Sequence, residues 1–121
     1  MSDGGETVKL VNLSNDREVA RNVDQAYSFF KRFKGLMFTD ELHSGNGLHI
    51  KPCQSVHTFF MHYAVDIIYL NDGNVVVALD EELVPGKVGN RYVDARSVVE
   101  LPAGTIKITE VKVGNQLEFI L

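Results

Sequence analysis

Two apolar runs, Val65–Leu70 and residues 75–79, flank the tetrapeptide Asn71-Asp72-Gly73-Asn74. Asp-Gly adopts the positive φ angles of a tight turn at little steric cost, so this is the strongest short-range hairpin signal in the chain. Both arms are apolar on both faces, the pattern of strands covered from two sides. The hairpin is therefore expected at the centre of a sheet rather than on a solvated edge, and the remaining residues must supply a cover for each face.

The resources for that are adequate. The chain has 121 residues, 45% of them hydrophobic and 23% charged, which suits one domain with one core. Residues 1–6 are polar and Gly-containing and are expected to be a loose tail, leaving 7–121 as a single globular β-rich domain. They carry no basic-then-apolar leader pattern. The longest uninterrupted apolar run, residues 75–79, is far short of the roughly 20 residues of a membrane-spanning helix. A soluble, cytoplasmic domain is expected. The net charge of −4 argues against nucleic acid or an anionic membrane as partner, since both select clustered Lys and Arg. The single cysteine, Cys53, excludes an internal disulfide and an all-cysteine zinc site.

Periodicity assigns the other elements. Residues 7–13 alternate as a strand, Asn15-Asp16 signals a turn, and 17–23 return as a second strand. Asp24 then suits a helix N-cap, and Ala26, Phe30, Phe33 and Met37 fall on one helical stripe. Lys31, Arg32 and Lys34 oppose the negative end of the helix dipole, and Gly35 suits the residue after it. The spacing predicts a helix over 25–34 with that stripe buried. Strands are expected over 47–50 and 56–62, a long loop over 83–90, extended chain over 92–101, a break at Pro102-Ala103-Gly104 and a last strand over 117–121. Residues 105–113 fit a strand or one helical turn. The sum is a mainly β (α+β) fold, a small antiparallel barrel-like or sandwich arrangement with one short amphipathic helix packed against it.

The densest group of reactive side chains is Cys53, His57, Met61, His62 and Asp66. On a strand, residues five apart point to opposite faces, so His57 and His62 do not share a metal ion. A Cys53–His57 pair would need His49 or His43 as well. Structural zinc normally shows four ligands in paired spacing, so no metal and no cofactor are expected. His57 with Asp66 has the composition of a base and its orienting carboxylate, but no nucleophile motif such as G-x-S-x-G accompanies them. Asp66 opens an apolar strand and is either exposed or buried and paired, accepting from loop amides or from His57. Glu100 alternates with Asp94, Arg96 and Val98, which predicts an Arg96–Glu100 pair on a solvated face. The run Asp80-Glu81-Glu82 is expected as a solvated strand exit.

Several segments together carry a resemblance: Gly35-Leu36-Met37-Phe38, Ser55-Val56-His57-Thr58-Phe59-Phe60-Met61, Val65-Asp66-Ile67-Ile68-Tyr69-Leu70 before Asp72-Gly73, then Pro85, Glu100-Leu101-Pro102-Ala103-Gly104 and Gly114. In order and spacing, over about residues 17–121, they resemble the domain-of-unknown-function family number 192, an uncharacterised bacterial and archaeal group. Ala64 stands where that family usually has proline, and Asn115 where it usually has aspartate. The resemblance implies a small, mainly β domain with one helix and assigns no reaction. Its motif positions include His57, Met61, Asp66, Glu100 and Gly104, of which His57, Asp66 and Glu100 carry chemistry.

Two functions remain open to the sequence. One is a binding or accessory module whose groove, lined by His57, Phe59 and Met61, takes an unidentified small molecule or a protein segment. The other is a small hydrolase- or transferase-like enzyme using His57 with Asp66, aided by Glu100. The sequence sets no oligomeric state. Convergence of His57, Asp66 and Glu100 on one concave surface is what separates the two.

Overall fold

The computed structural model describes residues 7–121, so the expected 1–6 tail lies outside the described residues. The elements run β1 (Val8–Asn12), β2 (Arg17–Ala26), α1 (Phe29–Lys34), β3 (Asn46–Ile50), β4 (Val65–Leu70), β5 (Val76–Leu83), β6 (Ser97–Pro102), α2 (Thr105–Thr109) and β7 (Leu117–Ile120). The seven strands form one sheet in the order β5-β4-β6-β3-β2-β1-β7. All neighbours pair antiparallel except β2 and β3, which are parallel. The mainly β expectation holds, as a curled half-barrel with short helices.

The curl brings the two ends of the strand order together. Val75 bridges Gln116. Val76 N–H donates to Asn115 O at 2.9 Å and Gly114 N–H to Val76 O at 2.8 Å. Inside the curl lies one apolar cluster, with Leu10, Val23, Ile68, Leu70, Val76, Leu101 and Leu117 among its members. It draws on β5 and on β7, from opposite ends of the strand order, which only the concave face can do. Ile106 and Val111, from α2 and just beyond it, complete this cluster. A second cluster, including Ala26, Ile50, Val65, Ile67, Tyr69 and Val98, lies on the opposite face under irregular chain.

The 65–79 hairpin forms and β4 is buried along its whole length. Its place differs from expectation, since β5 ends the strand order. Burial on two faces comes from the curl and from the loop cover rather than from strands on both sides of the hairpin.

The helix differs more. β2 continues through Asp24 to Ala26, because residues 22–26 pair in register with 46–50 of β3. A backbone ladder that satisfies both groups of each residue outweighs one side-chain cap. Ser28 is the N-cap instead, accepting from Lys31 N–H. Gly35 closes α1, donating its N–H to Lys31 O at 2.9 Å. The helix is six residues long and buries none of them. Phe30 and Phe33 of the expected buried stripe are exposed, whereas Met37 and Ala26 are buried. The strand expected over 56–62 is also absent. That segment is turn and loop with a single bridge, His57 to Val88. Thr58 anchors it: its hydroxyl donates to Val84 O at 2.6 Å and accepts from Lys87 N–H at 2.8 Å.

Asp66 ties three elements together from inside the curl. It is fully buried. Its Oδ1 accepts from Glu82 N–H at 2.8 Å, and its Oδ2 from Ile106 N–H at 2.9 Å. Glu82 sits at the irregularity of the β4–β5 ladder with φ 52°. Ile106 lies in the first turn of α2, whose N-cap, Gly104, offers no side chain. One carboxylate therefore satisfies a bulge amide and caps a helix. Asp66→Ala leaves both donors buried and is expected to cost about 2–6 kcal/mol, at ~1–3 kcal/mol per stranded group. Asp66→Asn retains one acceptor and should lose roughly half as much. Urea unfolding of the three proteins checks this; equal, negligible losses would contradict it.

Candidate functional site

Glu100 lies on β6, opposite Leu48 of β3 and Ile67 of β4. Its face of the sheet is the one carrying Val98, Ile50 and Ile67. Those neighbours place its carboxyl among apolar groups, and the residue is 2% exposed. Among the described residues no hydrogen-bond partner reaches that carboxyl. Burial raises its pKa to about 8, so at neutral pH it is mainly a neutral acid, with one O–H donor and free acceptor capacity.

A cavity of about 70 Å³ stands over it. The turn after α1 forms one wall, with Gly35, Leu36 and Met37. Gly35 has φ 48°, and a Cβ there would lie 3.4 Å from Glu100 Oε1. The turn thus passes directly over the carboxyl in a conformation that disfavours a side chain. Cys53, Ser55, Val56, His57 and Met61 form the facing wall. Arg32 reaches in from α1. Its Nη1 donates to Pro52 O at 3.5 Å, and its Nε is buried with no partner among the described residues. The Cys53 thiol donates to Ser55 O at 3.0 Å. Burial pushes that thiol's pKa up, and nearby Glu100 adds to this while Arg32 opposes it. A thiol held protonated is a poor nucleophile.

The expected site residues divide. His57 and Met61 line the cavity with Glu100. Met61 is buried in the wall, and His57 is exposed at the mouth. Its Nδ1 accepts from Phe59 N–H at 3.3 Å and its ring stacks on Phe59 at 5.1 Å. Phe59 extends the site outward rather than lining it. Asp66 is not part of the lining. Being adjacent to Ile67 on β4, it points to the other face of the sheet, where its two amide partners occupy it. The fold brings His57 to Glu100 and not to Asp66. The expected Arg96–Glu100 pair does not form. Strand β6 starts only at Ser97, and Arg96 Nη1 donates to the carbonyls of Val93 and Ala95 instead.

The other histidines lie apart. His43 meets Glu41 and His62 meets Asp40, all exposed. His49 sits on the opposite face from Leu48, with Nδ1 2.7 Å from Tyr27 Oη and its ring on Phe119 at 4.3 Å. Burial lowers its pKa to about 4. The run 80–82 is only partly a solvated exit, since Asp80 accepts from the hydroxyls of Tyr69 and Tyr92 at 2.8 and 2.9 Å.

Sequence reasoning found Phe59 but missed Arg32 and the Phe38–Phe60 pair. Phe38 N–H donates to Phe60 O at 3.0 Å, and the two rings stack at 5.3 Å. Both residues have positive φ, 64° and 61°, which is rare for bulky side chains and costs of order 1–3 kcal/mol each. Both rings, with Phe33, are exposed beside the cavity. The signal available was the segment Gly35-Leu36-Met37-Phe38, in which Leu36 and Phe38 fall off the helical stripe.

Comparison with known proteins agrees with this fold. The model of the domain-of-unknown-function family number 192, described as "Uncharacterized ACR", matches residues 11–119. A UPF0127 protein of Pyrococcus furiosus is 34% identical over 115 residues, spanning 91% of this chain and 97% of that one. A UPF0127 protein of Thermococcus sibiricus is 29% identical over 115 residues, spanning 91% and 73%. A crystal structure from Sinorhizobium meliloti 1021, named as that of a "putative transcription regulator", superimposes with a TM-score of 0.83 at 22% identity and covers 98% of this chain and 96% of its own. A protein of unknown function from Novosphingobium aromaticivorans superimposes with a TM-score of 0.79 at 21% identity, over 93% and 83%. At such identities the structural likeness shows the fold alone.

The burial of Glu100 has a measurable consequence. Its pKa moves from 4.5 to about 8 on folding. Between those values the folded chain holds a proton that the unfolded chain releases. Glu100 therefore lowers stability progressively as pH rises through this window, by up to roughly 1.4 kcal/mol per pH unit, with no further change above it. Glu100→Gln removes this dependence. The stability difference between variant and parent, read from urea unfolding, should grow in the variant's favour from pH 5 to 8 and then level off. A difference independent of pH would show that the carboxyl is ionised in the folded chain.

Proposed function

We propose that this chain, which belongs to the domain-of-unknown-function family number 192, is a binding module that seats one polar group of a small molecule on Glu100. The observation that carries this reading is the buried Glu100 carboxyl without a partner at the floor of a cavity. Buried polar groups without a protein partner are rare in folded proteins, and this one opens onto the cavity, where solvent or a ligand supplies its hydrogen bonds.

Size and rim define the rest. The cavity, at about 70 Å³, is well below the roughly 300–1,000 Å³ of pockets that enclose a drug-sized ligand. It takes one functional group, and the body of the ligand lies outside on Phe33, Phe38, Phe59 and Phe60. The strained backbone at Phe38 and Phe60 supports this, since strain held at a surface aromatic pair is a feature of binding sites. The net charge of −4 favours a small-molecule partner over nucleic acid.

An acid–base enzyme is the second reading, favoured by His57 and Glu100 sharing the cavity, with Glu100 titrating near neutral pH. Its weakness is the missing nucleophile, because the Cys53 thiol is held protonated. Pairing His57 with Asp66 has no support in the geometry, since both Asp66 oxygens are engaged by amides.

Protein-observed NMR with a fragment library tests the binding reading. Shifts from any binding fragment should cluster at residues 35–38 and 53–61. Glu100→Leu, which removes the polar floor, should weaken binding at least tenfold, whereas Asp66→Asn should leave it unchanged. Shifts confined to other surfaces, or indifference to Glu100→Leu, would reject this site.

A further inference from the structure

We propose, resting on that reading, that the group seated on Glu100 is a carboxylate, held between the Arg32 guanidinium and the Glu100 carboxyl O–H, on an aliphatic or aromatic acid whose body lies on the phenylalanine rim.

The donors and charges that line the cavity set the class of its ligand. Arg32 Nε is a buried donor with no partner among the described residues. A guanidinium only donates, so the ligand must present an acceptor to it. The Glu100 carboxyl supplies a second donor from the floor when protonated. Arg32 and Glu100 line the same small cavity, and a group with two acceptor oxygens in a plane can meet a donor from each. The charges in the lining point the same way. Arg32 and Lys34 are both there, and Glu100 is its one acidic side chain among the described residues. An ammonium or guanidinium head would meet Arg32 as a like charge and leave its Nε unpaired. A neutral amide would satisfy one donor without offsetting the guanidinium charge, and charge-assisted bonds are roughly twice as strong as neutral ones. The volume suits a planar group and the carbon next to it, since each water-sized occupant needs at least about 10–15 Å³.

The remaining groups that face Glu100 set the pH behaviour. Arg32 and Lys34 approach from the α1 end, Cys53 and His57 from the 53–61 loop, and Tyr63 senses the Glu100 charge. Asp24 lies in the same cross-strand row, two strands away beyond Leu48. From β3 and β4 the paired residues Leu48 and Ile67 are apolar. A carboxylate binds the protonated form of Glu100 and holds its proton, so affinity should fall above pH 8, by up to tenfold per unit.

The test uses four matched probes, 3-phenylpropionate, 3-phenylpropanamide, 3-phenylpropylammonium and 3-phenylpropylphosphonate, titrated into the full chain and followed by NMR and calorimetry. The carboxylate should bind at least tenfold more tightly than the other three, with shifts at residues 35–38 and 53–61. Calorimetry near pH 8.5, in two buffers of different ionisation enthalpy, should show proton uptake on binding. Arg32→Gln should abolish the preference for the carboxylate, and Arg32→Lys, which keeps charge without the Nε–H, should fall between. Glu100→Gln still offers a donor, so it should bind while losing the fall above pH 8; His57→Ala should retain that fall. Amide, ammonium or phosphonate binding as tight as the carboxylate, or a pH fall that survives Glu100→Gln, would overturn the carboxylate assignment and leave the site standing. Failure of all four probes to perturb the cavity would overturn both.

Discussion

All six residues of β4 are buried, and a strand with two hidden faces demands a cover on each side of its sheet. The curl provides the first, turning one face inward onto Leu10, Val23 and Leu117. The second is made largely of irregular chain, and irregular chain can lie over a core only if its own backbone groups are satisfied. Thr58 answers that demand. Its hydroxyl and both its backbone groups bond the 84–87 segment, and Gly89 N–H reaches Val56 O at 2.8 Å. Asp66 does the same on the concave side for two amides that no ladder pairs. The cavity over Glu100 lies where the turn after α1 meets this second cover, so the candidate site is a product of how β4 is hidden.

The sheet was legible where the local pattern and the tertiary context agree. The Asp-Gly hairpin, the strand before Lys51 and the C-terminal strand all sit close to where alternation places them. Asp24 shows the limit. Asp24 is a good N-cap by residue type, but the parallel neighbour β3, more than twenty residues later, recruits residues 22–26 into its ladder. No window around Asp24 contains that partner. Once β2 runs on, α1 starts at Phe29, and the apparent stripe loses its meaning: an apolar side chain at helical spacing looks the same whether it faces a core or stands at the mouth of a cavity.

Glu100 was misplaced for a related reason. Alternation over 92–101 assumes extended chain throughout, and it assigns a carboxylate to the solvated face. The ladder begins only at Ser97, so Arg96 is not on the same strand face at all. Both flanks of Glu100 are paired and its face is covered, which turns an ordinary surface residue type into a buried acid. Asp66 was easier, because a carboxylate opening a wholly apolar strand has few options, and acceptance from amides was among them. Arg32 could not have been found from spacing, since its role depends on a turn folding over β6.

The joint between β5 and β7 has a further consequence for how the molecule meets other copies of itself. An open sheet ends in two strands with unpaired N–H and C=O groups, which are templates for another chain. The bonds between residues 74–76 and 114–117 consume part of both margins. Beyond Val76, β5 carries the exposed Glu81 and Glu82, and β7 carries the exposed Glu118. Like charges repel an incoming identical strand. An acidic run that has no place in the cavity thus sets like charges along the part of the β5 margin that the joint leaves unpaired.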